Sequence, residues 1–285
     1  MSEQRDLSPE TVFSMVGNDR RIAIIEALSE ADGQPLSFTE LWDSVGIRDS
    51  GQFNYHLNKL VGTFVYQNSE EKYALSFAGH RIVGAIHSGE LTRNTESKQL
   101  QLDSSCPFCA THLEADYVTE RVTIECPECE NVHSSFGFPP GGLSNRSPEE
   151  LTQAFDSWVT NVTALFAGGV CVNCTGQTSG RLRDDLEDER YATQPVGVSF
   201  VCEQCTDSVT ISVSFYCALQ PAVIAFYYAN GIDFAETGSW AIEHVTDECI
   251  DVLCTDPLCI RTTFDLGGNQ LTVTLEEDLT MSVSK

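Results

Sequence analysis

The chain is poor in lysine and rich in carboxylates. Its 285 residues contain only four lysines, and its 16 basic residues stand against 42 acidic ones. A surface dominated by carboxylates keeps a protein soluble where salt screens ordinary repulsion. The composition therefore indicates a salt-adapted cytoplasm.

Long apolar runs are also lacking. Residues 1–6 show no apolar segment of the signal-peptide type, and nowhere do about 18 uncharged apolar residues run together. We therefore expect a cytoplasmic protein with no membrane partner. The hydrophobic content of 41% still predicts a folded chain, and the length allows two or three domains.

The common catalytic motifs are missing. The sequence has no Gly-x-Ser-x-Gly, no phosphate-cradling glycine-rich loop and no His-Glu-x-x-His. These absences predict that the protein is not an enzyme.

Cysteine, in contrast, is abundant. Eight of the twelve cysteines form four Cys-x-x-Cys pairs. Isolated disulfides do not persist in a reducing cytoplasm, so metal binding is the favoured role. Two such turns together supply four thiolates to one tetrahedral Zn²⁺. The predicted ligands of two zinc ions are Cys106, Cys109, Cys126, Cys129, Cys171, Cys174, Cys202 and Cys205.

The spacing of these pairs predicts two zinc ribbons. Sixteen residues separate Cys109 from Cys126, which is within the range of a ribbon. The second set has 27 residues between Cys174 and Cys202, so it requires an extended loop. Because four sulfurs fill the coordination sphere, both ions are expected to be structural.

Two alternatives to four-sulfur sites are open. His112 and His133 lie near the first set and could replace a thiolate. Because four cysteines already saturate the ion, these two histidines are expected at the surface or behind the ligands. A Cys-x-x-Cys pair can also cycle between dithiol and disulfide. A thiol oxidoreductase is therefore a rival interpretation.

Residues 1–90 show short amphipathic helices followed by a β-hairpin and a closing helix. Ser37 with Glu40 predicts a capped third helix, and Asp49 with Gln52 opens a fourth. The fourth helix should bury a stripe of Phe53, Leu57, Leu60 and Val61. Its other face should show Gln52, Tyr55, His56 and Lys59. This order of elements predicts a winged helix-turn-helix.

Three stretches of this region carry a family resemblance: GNDRRIAIIEAL, SFTELWDSVG and FNYHLNKLVGTFV. They resemble the ArsR-like winged-helix transcription regulators, particularly those of halophilic archaea. The resemblance covers roughly the first 90 residues, and it implies double-stranded DNA as a partner and a homodimer as the assembly. It also implies that the fourth helix is the recognition helix. The family's metal-sensing cysteine motif on that helix is absent.

The DNA-contacting residues follow from the resemblance and from side-chain chemistry. Asn and Gln amides can pair with adenine edges, and basic side chains can reach phosphates. Against this, residues 1–90 hold 13 acidic and 7 basic residues, which predicts weak affinity at ordinary salt. The expected DNA-binding residues are Arg48, Ser50, Gln52, Asn54, Tyr55, Lys59 and Lys72. A winged helix used for protein contact is the alternative.

The remainder divides at a predicted linker, residues 91–104. The zinc-ribbon region then covers residues 105–206, with ribbons at 105–138 and 170–206 and a helix at 148–167. That helix starts at a capping box of Ser147 and Glu150. Its predicted core stripe is Leu151, Phe155, Trp158, Val162 and Leu165.

Residues 207–285 predict an antiparallel sheet with one helix, a candidate effector or dimerisation domain. The helix begins at Pro221. Phe226, Tyr227, Tyr228 and Trp240 either fill its core, which is favoured, or line a cavity for an unknown small-molecule effector. Alternating patterns predict strands over residues 209–217, 240–246, 250–254, 258–266, 271–275 and 279–283.

The last four cysteines are treated separately. Cys217 and Cys254 fall in the inward phase of predicted strands and are expected in the core. The spacing Cys249-x4-Cys254-x4-Cys259 leaves a third metal site open.

Taken together, the patterns predict an α+β fold in which an N-terminal winged helix-turn-helix precedes two zinc-ribbon-like modules of four cysteines each. The modules are built into an antiparallel-sheet-plus-helix C-terminal domain. The favoured function is a DNA-binding transcriptional regulator. A winged helix followed by a zinc ribbon also resembles the archaeal general transcription factor that assists promoter opening, which keeps a polymerase-contacting role open.

Overall fold

The computed structural model describes residues 7–93, 96–144, 146–186, 196–233 and 250–284. It is a mixed α+β structure whose sheets are antiparallel. The chain divides into two compact units, one containing residues up to 93 with Pro139–Gly141, and one containing the rest. None of the helices in the described ranges combines the length and apolarity needed to span a membrane.

The first unit is mainly helical. Its core consists of aliphatic and aromatic side chains from α2, α3, α4 and the hairpin. Leu36 also pairs with Tyr73 by two backbone hydrogen bonds, of 3.0 and 2.7 Å, which adds a bridge to the hairpin. The elements are α1 (Pro9–Val16), α2 (Asp19–Glu30), α3 (Phe38–Val45), α4 (Ser50–Leu60), β1 (Val65–Gln67), β2 (Tyr73–Leu75) and α5 (Phe77–Ser88).

Capping side chains fix where the helices of the first unit begin. Ser37 and Glu40 form the predicted capping box of α3. The Asp49 carboxylate accepts a hydrogen bond of 2.7 Å from the Gln52 N–H at the start of α4. Both predicted starts are confirmed, because a capping side chain satisfies N–H groups that the helix itself leaves open.

The second unit begins with a four-stranded meander in the order β3-β4-β5-β6. A 3₁₀ turn, Pro140–Leu143, and the long helix α6 follow in the chain. The strands are β3 (Lys98–Ser105), β4 (His112–Val118), β5 (Arg121–Glu125) and β6 (Val132–Gly137), and α6 covers Pro148–Ala167. Because β3 starts at Lys98, the linker is shorter than the predicted residues 91–104.

A three-stranded sheet in the order β7-β8-β9 comes next, followed by two helices and a four-stranded sheet in the order β10-β11-β12-β13. The second of the helices starts at Pro221, as predicted. The bounds are β7 (Thr178–Arg183), β8 (Gly197–Cys202), β9 (Ser208–Ser212), α7 (Val213–Ala218), α8 (Pro221–Ala229), β10 (Ile250–Thr255), β11 (Leu258–Leu266), β12 (Asn269–Glu276) and β13 (Met281–Ser284).

Helix α6 joins the two cores of this unit. Phe155 is fully buried among the side chains of the first meander, whereas Phe166 packs in the core that β8 and the last sheet share. The predicted stripe was partly wrong: Leu165 is exposed, and Val159 and Phe166 are buried instead. The buried residues Leu151, Phe155 and Val159 are four positions apart. The predicted stripe instead stepped three positions from Phe155 to Trp158 and so left this face of the helix.

Three further predictions are corrected here. The strand predicted for residues 209–217 ends at Ser212, and Val213–Ala218 is helical. Cys217 is buried as expected, but on α7. Cys254 is exposed, because β10 is an edge strand with little covering it among the described residues. The strand predicted for residues 240–246, with Trp240, lies outside the described residues.

The aromatic residues near α8 have different environments. Tyr227 is fully buried and meets Phe264 edge to face, with ring centroids 5.9 Å apart. Tyr228 is 70% exposed. Tyr227 therefore fills the core, as favoured, and Tyr228 does not line an enclosed space.

Candidate functional site

Each of the four Cys-x-x-Cys segments closes on itself by the same two backbone hydrogen bonds. The Cys106 N–H donates to the Thr111 carbonyl at 2.8 Å, and the residue four positions after Cys106 donates back to its carbonyl. The same two bonds occur in the segments that begin at Cys126, Cys171 and Cys202. The two sulfurs of each segment therefore project from one fixed turn.

A left-handed residue closes each of these turns. The φ angles are between 59 and 60° at Ala110, Glu130, Thr175 and Thr206. A residue other than glycine costs roughly 1–2 kcal/mol in this conformation. Such conformations persist where the surroundings fix them, and here two hydrogen bonds fix each one.

The turns meet in pairs and bring four sulfurs together. In the first cluster, the Sγ atoms of Cys106 and Cys129 are 3.7 Å apart, and those of Cys109 and Cys126 are 3.4 Å apart. Disulfide sulfurs lie about 2.05 Å apart, so these are separate thiols. All four ligand atoms lie within 4.8 Å of one another.

The second cluster repeats this geometry. The Sγ atoms of Cys171 and Cys205 are 3.7 Å apart, and those of Cys174 and Cys202 are 3.5 Å apart. In both clusters the first cysteine of one turn is near the second cysteine of the other. Each cluster can hold one metal ion.

Two side chains contact the sulfurs of the first cluster. The Nε2 atom of His133 lies 3.6 Å from the Cys106 Sγ. Burial lowers the pKa of His133, so the imidazole is neutral at pH 7. The Phe108 ring stacks on it, with centroids 5.9 Å apart. Asn131 donates its side-chain N–H to the Cys129 Sγ at 3.3 Å.

The second cluster is surrounded mainly by backbone donors and one carboxylate. The Gly176 N–H donates to the Cys174 Sγ at 3.4 Å, and the Gln204 N–H donates to the Cys202 Sγ at 3.4 Å. Asn173 donates to an Asp207 carboxylate oxygen at 2.7 Å. Donated N–H groups stabilise thiolates, which are the form that binds metal.

One thiol in each cluster ionises near neutral pH. Hydrogen bonds from Thr111 lower the pKa of Cys109 to about 6. The backbone N–H of Cys205 lowers the pKa of Cys202 to about 7. Burial instead raises the pKa of Cys106 to about 11. A metal ion arriving at neutral pH therefore meets one ready thiolate and displaces protons from other ligands.

A polar face on α4 is the second candidate site. We define the α4 face as the exposed residues Ser50, Gln52, Asn54, Tyr55 and Lys59. Tyr55 is 58% exposed, and the Lys59 Nζ lies 5.7 Å from the centre of its ring. The opposite side of α4 is fixed in the core by three fully buried residues, Phe53, Leu57 and Leu60.

The structure places the remaining predicted DNA contacts around this helix. Arg48 is exposed in the turn before α4. Lys72 lies on the hairpin and forms an ion pair with Glu70 at 3.7 Å. His56, predicted on the exposed face, is buried. Burial also lowers the pKa of His56, so it is a neutral core residue and not a phosphate contact.

Two family models match the chain, and the gap between them lies near the boundary between the two compact units. A model described as domain of unknown function DUF7351 matches residues 103–281, which is more than half of the chain and includes all eight clustered cysteines. The chain belongs to the DUF7351 family. A second model, domain of unknown function DUF7347, matches residues 9–86, which include α4. A search of curated proteins found no match.

Within the DUF7351 segment the predicted grouping of eight cysteines into two sets is confirmed. Sequence reasoning missed the residues that surround the sulfurs, above all Asn131 and Asp207. Each stands two positions after the second cysteine of a turn, where its carbonyl accepts the first cysteine's N–H. A polar residue two positions after the second cysteine is therefore the sequence pattern that could have identified Asn131 and Asp207. In the DUF7347 segment the DNA contacts stay a prediction.

Proposed function

We propose that the protein is a DNA-binding transcriptional regulator whose second unit is built around two structural zinc ions. The observation that supports this best is a pair of helices joined by a short turn, the second of which exposes a polar face. Helices α3 and α4 are joined by the four residues 46–49, and Gly46 has a φ of 70°. Two helices joined by a turn of three or four residues, often with glycine, are typical of DNA-binding helix-turn-helix units.

Local contacts make this turn rigid. The Trp42 indole N–H, on α3, donates to the Ile47 carbonyl within the turn. Gly46 ends α3 in the left-handed conformation, which glycine adopts at little cost. Asp49 then starts α4. These contacts define how α3 ends and where α4 begins.

The α4 face has the chemistry of a groove-reading helix. Residues near the start of a recognition helix contact base edges in the major groove, and Gln52 and Asn54 lie there. Their amides match the donor and acceptor pattern of adenine. Lys59 and Arg48 suit phosphate oxygens. Together with the hairpin after α4, this arrangement agrees with the resemblance to ArsR-like winged-helix regulators, which implies a homodimer on a two-fold site.

The charge of the chain sets the conditions for binding. Its formal net charge of −26 repels DNA in dilute buffer. At molar salt this repulsion is screened within roughly 3 Å, so contact geometry dominates. Binding is therefore expected in high salt, with a weaker salt dependence than basic DNA-binding proteins show.

Zinc fits the cysteine clusters. Four sulfurs at about 2.3 Å from one tetrahedral ion lie about 3.8 Å apart. The sulfur pairs in direct contact lie 3.4 to 3.9 Å apart, and all four sulfurs of each cluster lie within 4.8 Å of one another, which is compatible with one ion per cluster. Four thiolates leave no open position, so the ion stabilises the fold and does not activate a substrate.

Genome-wide DNA occupancy in high salt tests the regulator. The test variant carries Gln52→Ala, Tyr55→Ala and Lys59→Ala. A control variant carries Gln101→Ala, Tyr228→Ala and Lys98→Ala, which removes the same three residue types from exposed positions of the second unit. We expect defined sites for the wild type and the control, and loss of those sites for the test variant. Identical maps for all three proteins would contradict DNA binding through α4.

Two alternative functions predict different results in simple measurements. A general transcription factor would co-purify with RNA polymerase and show no defined operator. A thiol oxidoreductase would purify with little zinc and with titratable thiols in both clusters. Elemental analysis should instead find two zinc ions per chain, with one lost in Cys126→Ser and one in Cys202→Ser.

A further inference from the structure

Two cysteines outside the metal clusters face each other across a β-ladder. Strands β10 and β11 form a hairpin in which Cys254 is the register partner of Cys259. Directly opposed residues of an antiparallel pair have Cα atoms roughly 4.5 or 5.5 Å apart. Both values lie inside the range of about 4.4–6.8 Å that a disulfide spans. The register shifts between Val252 and Cys254 and is one-to-one from Cys254 to the turn, so the pairing of Cys254 with Cys259 is expected to have a separation that a cross-link can span.

The two thiols also lie on the same face of the sheet. Opposed residues of an antiparallel ladder project to one side, with Cβ atoms roughly 4.5–5.5 Å apart. The side chains interact: burial raises the pKa of the Cys259 thiol, and its hydrogen bond with Cys254 raises it further.

Access to the two sulfurs is unequal. Cys254 is exposed and Cys259 is half-buried. Among the described strands β10 is the edge of its sheet, and the Cys254 side chain is exposed within this part of the chain, so a reagent can approach it. This asymmetry suits a pair in which one thiol meets an outside reagent and the other resolves the product.

We propose that Cys254 and Cys259 are a thiol-modification site that a low-molecular-weight disulfide converts into an intrachain disulfide. The Cys254 thiolate attacks one sulfur of the reagent, forms a mixed disulfide and releases one thiolate. The Cys259 thiolate then attacks the Cys254 sulfur and releases the second. The protein loses two protons and two electrons, and the reagent's S–S bond is reduced to two thiols.

Cys217, in contrast, is protected from this chemistry. It is fully buried, and burial raises its pKa to about 12. Since the thiolate is the nucleophile, Cys217 stays reduced under the same treatment. It provides an internal control in the same chain.

The test uses the full-length, zinc-loaded chain in a Cys249→Ser background, because Cys249 lies outside the described residues. Oxidised glutathione is the probe, followed by rapid alkylation and peptide mapping. We expect loss of the free thiols of Cys254 and Cys259, a link between them, a reduced Cys217 after unfolding and mapping, and retention of two zinc ions before unfolding. A persistent glutathione adduct on Cys254, a link between two chains, or oxidation of the clusters first would overturn the proposal.

Single substitutions then separate the two roles. Cys259→Ser should accumulate the glutathione adduct on Cys254, because no thiol resolves it. Cys254→Ser should react at least tenfold more slowly, since only the half-buried thiol remains. Equal rates for Cys254→Ser and the background protein would show that Cys254 is not the entry point. Zinc content and circular dichroism confirm that each variant folds.

Discussion

The Nε2 atom of His133 lies 3.6 Å from the Sγ of Cys106, within reach for an N–H to bond a thiolate. Phe108 stacks on the imidazole and limits its rotation. Groups that bond to metal ligands orient them and tune the charge on the metal. His133 is therefore expected to strengthen the first zinc site, although it is not itself a ligand.

His133→Ala should weaken zinc binding at the first cluster by roughly 10–100-fold, the usual effect of losing such a contact. A chelator competition measures it best in a Cys202→Ser background, where only the first cluster holds zinc. His112→Ala, a substitution of an exposed histidine on β4, should leave the affinity unchanged. Equal weakening by both substitutions would show that the histidine contact has no specific role.

Removing zinc should unfold the second unit and leave the first one folded. Cys106 and Cys126 are buried in one core of the second unit, and Cys171 and Cys202 in the other. The core of the first unit contains no cysteine. Because structural zinc contributes binding energy directly to folding, chelation should expose the amides of β4, β8 and α6 to hydrogen exchange. The amides of residues 19–60 should stay protected from hydrogen exchange. Loss of that protection would contradict the prediction that the two units fold around separate cores.

Local signals of the sequence predicted the fold where a single side chain determines it. Ser37, Asp49 and Ser147 each cap the helix that they were expected to start. The Cys-x-x-Cys spacings likewise identified both clusters, because the turn geometry belongs to the segment itself. Such features depend on neighbours within a few residues, which a sequence displays directly.

The errors arose where distant contacts decide the structure. Residues 209–217 alternate like a strand, yet Ser212 caps α7, since its side chain accepts the Phe215 N–H at 3.1 Å. Almost all of α7 is buried, so its apolar pattern has no helical period. His56 has a polar side chain, but α4 turns it into the core. In residues 209–217 two local signals disagree, the alternation and the Ser212 cap, and in both segments the outcome depends on what packs against the helix.

A tight approach between α5 and the hairpin gives a third prediction. A Cβ at Gly79 would lie 2.3 Å from the Phe64 carbonyl oxygen, which is backbone and cannot move aside easily. Gly79→Ala should therefore destabilise the first unit by roughly 1–3 kcal/mol, as overpacking does. Gly84, on the same helix, has open space around its Cβ position. Gly84→Ala should stabilise by about 0.5–1 kcal/mol through helix propensity. Urea unfolding of both variants measures the contrast, and equal effects would contradict the close approach.

The capping box of α6 predicts a dependence of stability on pH. The Ser147 N–H donates to the Glu150 carboxylate at 2.7 Å, and this hydrogen bond lowers the pKa of Glu150. A lowered pKa means that the bond stabilises the fold above the ordinary pKa of glutamate. That stability is lost as the pH falls through the lowered value. Glu150→Gln should therefore be less stable than the wild type at neutral pH and approach it in acid.

Unfolding in urea at several values between about pH 3 and pH 7 measures this difference. Glu149→Gln is the matched control, because it removes the same charge from the same helical turn and leaves the capping bonds in place. Because zinc ligands protonate in acid and loss of zinc should unfold this unit, the comparison uses only pH values at which all three proteins retain two zinc ions. A Glu150→Gln protein that parallels the control at every pH would show that the capping carboxylate contributes nothing to folding. If the difference in the free energy of unfolding from the wild type disappears in acid only for Glu150→Gln, the acid sensitivity belongs to this one hydrogen bond at the start of α6.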